Sequence, residues 1–119
     1  REKAIEFLSR ALRRQNSPNV SLLNRLAGYY GQIGNTQREE EIYREAGRVS
    51  PWSGTWFNLS LALKRHGKLR EAREAVDRAI TIDREAPYLV HAALIAASAG
   101  DKAESNSLLA EAKARLAGG

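Results

Sequence analysis

The chain has 119 residues, a formal net charge of +5, no cysteine and no methionine. Without cysteine there is neither a disulfide nor a thiolate metal site, and no apolar run reaches the roughly 18 residues that a membrane span needs. The length suits one ordinary domain or a short array. With no signal peptide in view and a start at Arg1 in mid-helix pattern, the chain reads as an excerpt whose compartment stays open, the cytoplasm being only the default.

Residues 3–15 place Ala4, Ile5, Leu8, Ala11 and Leu12 on one stripe, because side chains three and four apart share a helix face. Over 20–33 the stripe is Leu23, Leu26, Ala27 and Tyr30, closed by Gly34, and over 37–48 it holds Tyr43 and Ala46 before Ser50 and Pro51. Proline keeps the residue before it out of the helical region, so a boundary falls there. Residues 54–66 repeat the theme with Trp56, Leu59, Ser60 and Leu63, then Gly67 as a stop. The stripe over 69–82 is Ala72, Ala75, Val76, Ala79 and Ile80, and two helices joined by so short a turn lie antiparallel. Ser60 and Ala79 are small where the two axes cross, since overpacking there would cost about 1–3 kcal/mol. Trp56 fills the wider gap toward the helix end. Residues 87–99 carry Leu89, Ala92, Ala93 and Ala96 behind Ala86 and Pro87. Residues 102–116 carry Leu109 and Ala112 behind Asp101 and Glu104, which are spaced as a capping box.

Gly34, Gly67 and Gly100 lie 33 residues apart, as do Ala46, Ala79 and Ala112. A register kept by two residue types marks an internal repeat of stacked supersecondary units. The expected fold is all-α, about seven helices in antiparallel pairs, with units over 19–52, 53–85 and 86–119. Residues 1–18 match the second helix of a unit whose first helix is missing, with Ala11 offset from Ala46 by 35. The face formed by Ile5, Leu8 and Leu12 is therefore expected to fray or to self-associate through residues 4–12.

With these residues in place the chain resembles the tetratricopeptide repeat family, whose motif runs W-x2-L-G-x2-Y, a turn glycine, A-x3-F-x2-A and P. One unit supplies Trp56, Leu59, Ser60, Leu63, Gly67, Ala72, Val76 and Ala79; another supplies Leu23, Leu26, Ala27, Tyr30, Gly34, Tyr43, Ala46 and Pro51. The resemblance implies a right-handed α-solenoid. Departures are Glu39, where the motif prefers alanine and looser packing is expected, and Arg84, where it has proline. The T-P-L-H signature of ankyrin repeats is absent, and pentatricopeptide units run longer than these.

Little catalytic chemistry is legible. His66 and His91 are the only histidines, and no H-E-x-x-H, nucleophile elbow or Ser-His-Asp pattern occurs. No cofactor or metal ligand set stands out. Gly28, Gly31 and Gly34 lack a following Gly-Lys-Ser/Thr and a preceding strand, so Gly28 and Gly31 serve to strip side chains from a helix face. Asn19-Val20-Ser21 matches a glycan acceptor by pattern alone.

The resemblance implies that the first helix of each unit lines a concave groove. Rotation by about 100° per residue puts Asn24, Gly28, Gly31 and Gln32 there in one unit, Phe57, Leu61, Lys64 and Arg65 in the next, and Val90, Leu94, Ala97 and Ser98 in the third, with His91 beside them. The candidate partner-binding residues are Asn24, Gln32, Phe57, Leu61, Lys64, Arg65, Val90, His91 and Leu94. Phe57 serves binding or internal packing. The leading expectation is a non-enzymatic scaffold for a protein or peptide with an apolar face and an acidic flank. The carboxylate clamp of one subfamily does not assemble: Asn58 fits it, but Gly28, Pro87 and His91 stand where amides or cations are needed. Two alternatives remain. One is nucleic acid held by the basic turn from Lys64 to Arg73, joined by Arg10, Arg13 and Arg14. Absent stacking aromatics, and the use of such cations to offset helix dipoles, disfavour it. The other is a substrate-recruiting region of an enzyme whose catalytic domain lies elsewhere.

Overall fold

The computed structural model describes residues 2–13, 19–50 and 52–118. Arg14, Pro51 and the boundary expected at residue 18 lie outside them. Among the described residues there are seven helices and no strand: α1 (Glu2–Arg13), α2 (Val20–Gln32), α3 (Thr36–Val49), α4 (Ser53–Arg65), α5 (Leu69–Ile82), α6 (Ala86–Ser98) and α7 (Lys102–Gly118). Each packs on its chain neighbours, most extensively within α2–α3, α4–α5 and α6–α7. The radius of gyration is 15.6 Å, against about 13.5 Å for a compact chain of this length. That elongation is what stacking in one direction produces, and the fold is an α-solenoid of antiparallel pairs.

The turn inside each pair is the same device three times. Gly34, Gly67 and Gly100 have φ of 82°, 80° and 87°, a region open to glycine because it lacks Cβ. The residue after each glycine donates its N–H back to Tyr30, Leu63 and Ala96, at 2.9 Å in all three cases. These bonds satisfy carbonyls that the helix end would otherwise orphan. Asn35 and Asp101 then cap the next helices, accepting from Arg38 N–H at 3.2 Å and Glu104 N–H at 3.0 Å. The capping box is half realised: the Glu104 carboxylate turns away to Arg73, 3.0 Å off. Between pairs the chain is extended, at Ser50 and Asp83. Arg84, standing where the motif has proline, ties this junction to α7 through both carboxylate oxygens of Glu111.

Leu59, Leu63, Val76, Leu89 and Ile42 are at most 2 % exposed, each burial stabilising by about 1.5–3 kcal/mol. Ser60 is as small as the crossing demands, and it also bonds: its hydroxyl donates to the Ala72 carbonyl at 2.6 Å. Trp56 reaches across to the preceding unit. A Cβ at Gly47 would lie 2.7 Å from its indole, so the glycine lets the ring lie over α3. Arg78 covers the ring, 4.7 Å from its centroid.

Glu39 is buried in α3, at 1 % exposure. The space it takes is the side chain that Gly31 lacks: a Cβ there would stand 2.5 Å from Glu39 Oε2. Large and small have changed places between α2 and α3, which keeps the pair closed despite the departure from alanine. In α1, Leu8 is buried and Ile5 and Leu12 pack on the core. The face expected to stand unpartnered is turned into the array, and Phe7, 71 % exposed, is what α1 shows to solvent.

Candidate functional site

The first helices of the pairs, α2, α4 and α6, carry the nine candidate residues, and the structure sorts them. Leu61 and Leu94 occupy equivalent positions one repeat apart and are 38 % and 52 % exposed. Gln32 is also exposed, and Lys64 is half-buried. Val90 is partly buried against the core. Phe57 packs within the array, its ring centroid 4.9 Å from Tyr88 and 5.4 Å from His91. His91 is 6 % exposed, with Nε2 2.9 Å from Ser60 Oγ. Since the Ser60 proton goes to Ala72, His91 donates and Ser60 accepts. This Ser–His contact is a packing bond, with its hydroxyl proton already committed. Burial pushes the His91 imidazole below its ordinary value, and Lys64 adds to that.

Asn24 is wired into the inter-unit contact. Its Nδ2 donates to Val20 O at 2.9 Å and to Thr55 Oγ1 at 3.1 Å, and its Oδ1 accepts from Asn58 Nδ2 at 3.4 Å. Asn24 therefore aligns α2 with α4. Asn19, the pattern-level glycan acceptor, caps α2 by accepting from Leu22 N–H at 3.1 Å.

Three cations of the basic turn are paired, two of them by the preceding unit. Arg65 donates to Glu39 at 2.8 Å and Lys68 to Glu40 at 2.8 Å, while Arg73 pairs with Asp77 at 2.9 Å and Glu104 at 3.0 Å. His66 lies between the two glutamates, with Nδ1 2.6 Å from Glu40 and Nε2 3.2 Å from Glu39. The second contact has ion-pair distance but not hydrogen-bond direction, so Glu39 Oε1 and His66 Nε2 each lack a directed partner. Burial pushes the Glu40 carboxyl up, but the bonds from Lys68 and His66 outweigh it and hold it below the ordinary range. Sequence reasoning missed this cluster. Its signal was the pair Glu39-Glu40 set against Arg65, His66 and Lys68 one repeat later.

Beside this cluster, Gly28 and Gly31 open a cavity of about 290 Å³ lined also by Gln32, Tyr43 and Arg65. Toward the other end of α4 lies a larger cavity, about 430 Å³, lined by Val20, Asn24, Arg25, Trp52 and Asn58 among others. Among the described residues no three His, Asp or Glu side chains converge as metal ligands, and no helix is long and apolar enough to cross a membrane.

A family model described as tetratricopeptide repeat matches residues 53–85. That stretch holds α4, the Gly67 turn and α5. Residues 53–85 are a tetratricopeptide repeat. The helix pairs on either side repeat its glycine turn and its antiparallel packing, so the chain has the fold of a tetratricopeptide array. Solved structures agree on the fold. A MamA protein superposes with a TM-score of 0.84 at 18 % identity, covering 93 % of this chain and 61 % of that one. A second MamA structure gives 0.80 at 19 % identity, covering 91 % and 64 %. The type III secretion chaperone SycD of Yersinia enterocolitica, in complex with a peptide of the translocator YopD, gives 0.73 at 21 % identity, covering 78 % and 72 %. This chain thus spans less than two thirds of those two MamA chains. A sequence search of curated proteins finds no significant match.

Proposed function

We propose that this tetratricopeptide array is a protein-interaction module that holds a peptide or helix of a partner on the face formed by α2, α4 and α6, without catalysis of its own. The observation that carries the reading is the exposure of Leu61 and Leu94, at 38 % and 52 %, at equivalent positions of adjacent repeats. Elsewhere on this face Phe57, Val90 and His91 are drawn into packing. Two leucines in register and open to water suit the apolar stripe of a partner. The half-buried Lys64 beside Leu61 favours an acidic flank. A fold of this kind holds a peptide in the SycD structure. The nucleic-acid reading loses support because Arg65, Lys68 and Arg73 already face carboxylates.

The test is the double variant Leu61→Glu with Leu94→Glu. Covering the exposed part of each leucine is worth about 0.5–1.5 kcal/mol, so affinity should fall about 10- to 100-fold. Helicity by circular dichroism should not change, since neither residue is in the core. A folded double variant that retains every partner captured by the wild type sinks the proposal.

A further inference from the structure

Trp52 is 54 % exposed at the start of α4, and its position is built rather than incidental. Its indole lies over Gly54, where a Cβ would clash with three atoms of the ring face. The glycine is the seat that holds a large aromatic face toward water, and this face forms one wall of the cavity of about 430 Å³ between α2 and α4. The polar groups in that cavity are unequally committed. Asn24 has given both amide protons to Val20 O and Thr55 Oγ1, and its oxygen to Asn58. Among the described residues, the Trp52 indole N–H, the second Asn58 amide proton and the Arg25 guanidinium have no hydrogen-bond or ion-pair partner. What remains is a flat aromatic platform edged by the Trp52 and Asn58 N–H groups and the Arg25 guanidinium, with the Ser21 and Ser50 hydroxyls and Asn58 Oδ1 beside them.

The complementary ligand has a compact apolar ring face, carbonyl acceptors and no N–H of its own to satisfy. We infer that this cavity is a subsite for a proline-rich segment in the polyproline II conformation. Prolyl rings present an apolar C–H face to an aromatic ring, and the prolyl nitrogen carries no amide proton. The extended helix leaves every carbonyl solvated and free to accept, and it loses little entropy on docking against an aromatic wall. A saccharide would also stack on an indole, but each of its hydroxyls also donates, and the side-chain acceptors lining the cavity and left over are only the Ser21 and Ser50 hydroxyls and Asn58 Oδ1. The inference extends the peptide-binding reading to a second place on the array and uses neither Leu61 nor Leu94.

The probe is a capped polyproline peptide of about six residues, or two turns, titrated into ¹⁵N-labelled protein. The indole N–H signal of Trp52 and the side-chain amide of Asn58 should shift saturably. The indole signal of Trp56, which sits over α3 and under Arg78, should stay in place as an internal control. Trp52→Ala should weaken binding at least about tenfold, as expected for loss of roughly 1.4 kcal/mol or more of stacking. Gly54→Ala should do the same while keeping the tryptophan, by pushing the ring off its seat. The Leu61→Glu/Leu94→Glu variant should bind the probe as the wild type does, which separates failure of this subsite from failure of the leucine face. No Trp52 shift at millimolar peptide overturns the inference. So does equal binding of a capped polyalanine control, or a Trp52 shift with maltohexaose and none with polyproline.

Discussion

Gly28 and Gly31 sit one turn apart in the same helix, and replacing each with alanine should have opposite effects. Neither has positive φ, so alanine fits both backbones. Removing a glycine from a helix interior stabilises by about 0.5–1 kcal/mol, through the lost freedom of the unfolded chain. At Gly28 nothing opposes this. The nearest atom to a new Cβ is Tyr43 Oη at 3.9 Å, an ordinary contact. Gly28→Ala should raise the melting temperature by about 2–6 °C. At Gly31 the new Cβ would meet Glu39 Oε2 at 2.5 Å and Cδ at 2.6 Å. That carboxylate cannot swing away cheaply, because it is buried and Arg65 is bonded to it at 2.8 Å. The helix-propensity gain is common to both variants and cancels in their comparison. What remains is the cost of overpacking, so Gly31→Ala should be less stable than Gly28→Ala by about 1–3 kcal/mol. Urea unfolding followed by circular dichroism measures both. The penalty should vanish in a Glu39→Ala background, because the clash is with one side chain, and the double-mutant cycle should show coupling of about the same size. If Gly31→Ala is as stable as Gly28→Ala, or if its penalty survives removal of Glu39, the exchange of large and small between α2 and α3 is wrong.

Ser60→Ala leaves the buried His91 N–H without its acceptor, so it should cost about 1–3 kcal/mol, read as a lower urea midpoint at unchanged slope. His91 titrates below its ordinary 6.5 when folded, so below that value the unfolded chain binds the extra proton. The stability it contributes is full above about pH 6.5 and is lost as pH falls through that value toward the folded one. The free-energy difference between the wild type and His91→Gln should therefore narrow on acidification across this window, and a constant difference would contradict the buried neutral imidazole. Glu40 acts in the same direction at lower pH: its contribution is present above about 4.5 and is lost as the paired carboxylate is protonated below that value.

Much of the architecture was legible because it rests on local rules. Turn glycines at a fixed interval, apolar stripes at helical spacing and small residues at the crossing of α4 and α5 each constrain the chain within one or two helical turns. The helix order followed, with ends shifted by a residue or two. The Asp101–Glu104 cap was only half legible, because Arg73 of the preceding unit outbids the backbone for the Glu104 carboxylate. Arg84 could be seen only as a missing proline until Glu111 stood opposite it.

The binding face was less legible for the same reason. Rotation along a helix says which side chains share a face, not whether the next helix has already covered them. Phe57 lies on the groove stripe and His91 beside it, and both are taken up by Tyr88 and Ser60 from neighbouring helices. Trp52 precedes α4 and belongs to no stripe, so helical spacing gave it no role, although Gly54 two residues later seats its ring. Periodicity alone determined that this chain is a stack of helix pairs and which residues are spent on holding each pair together. Contacts between helices decided the rest: that Gly31 makes room for a buried Glu39 in the next helix, that Arg65 and Lys68 are paired with Glu39 and Glu40 of the preceding unit, and that Leu61 and Leu94 stay open while Phe57 and His91 beside them are covered.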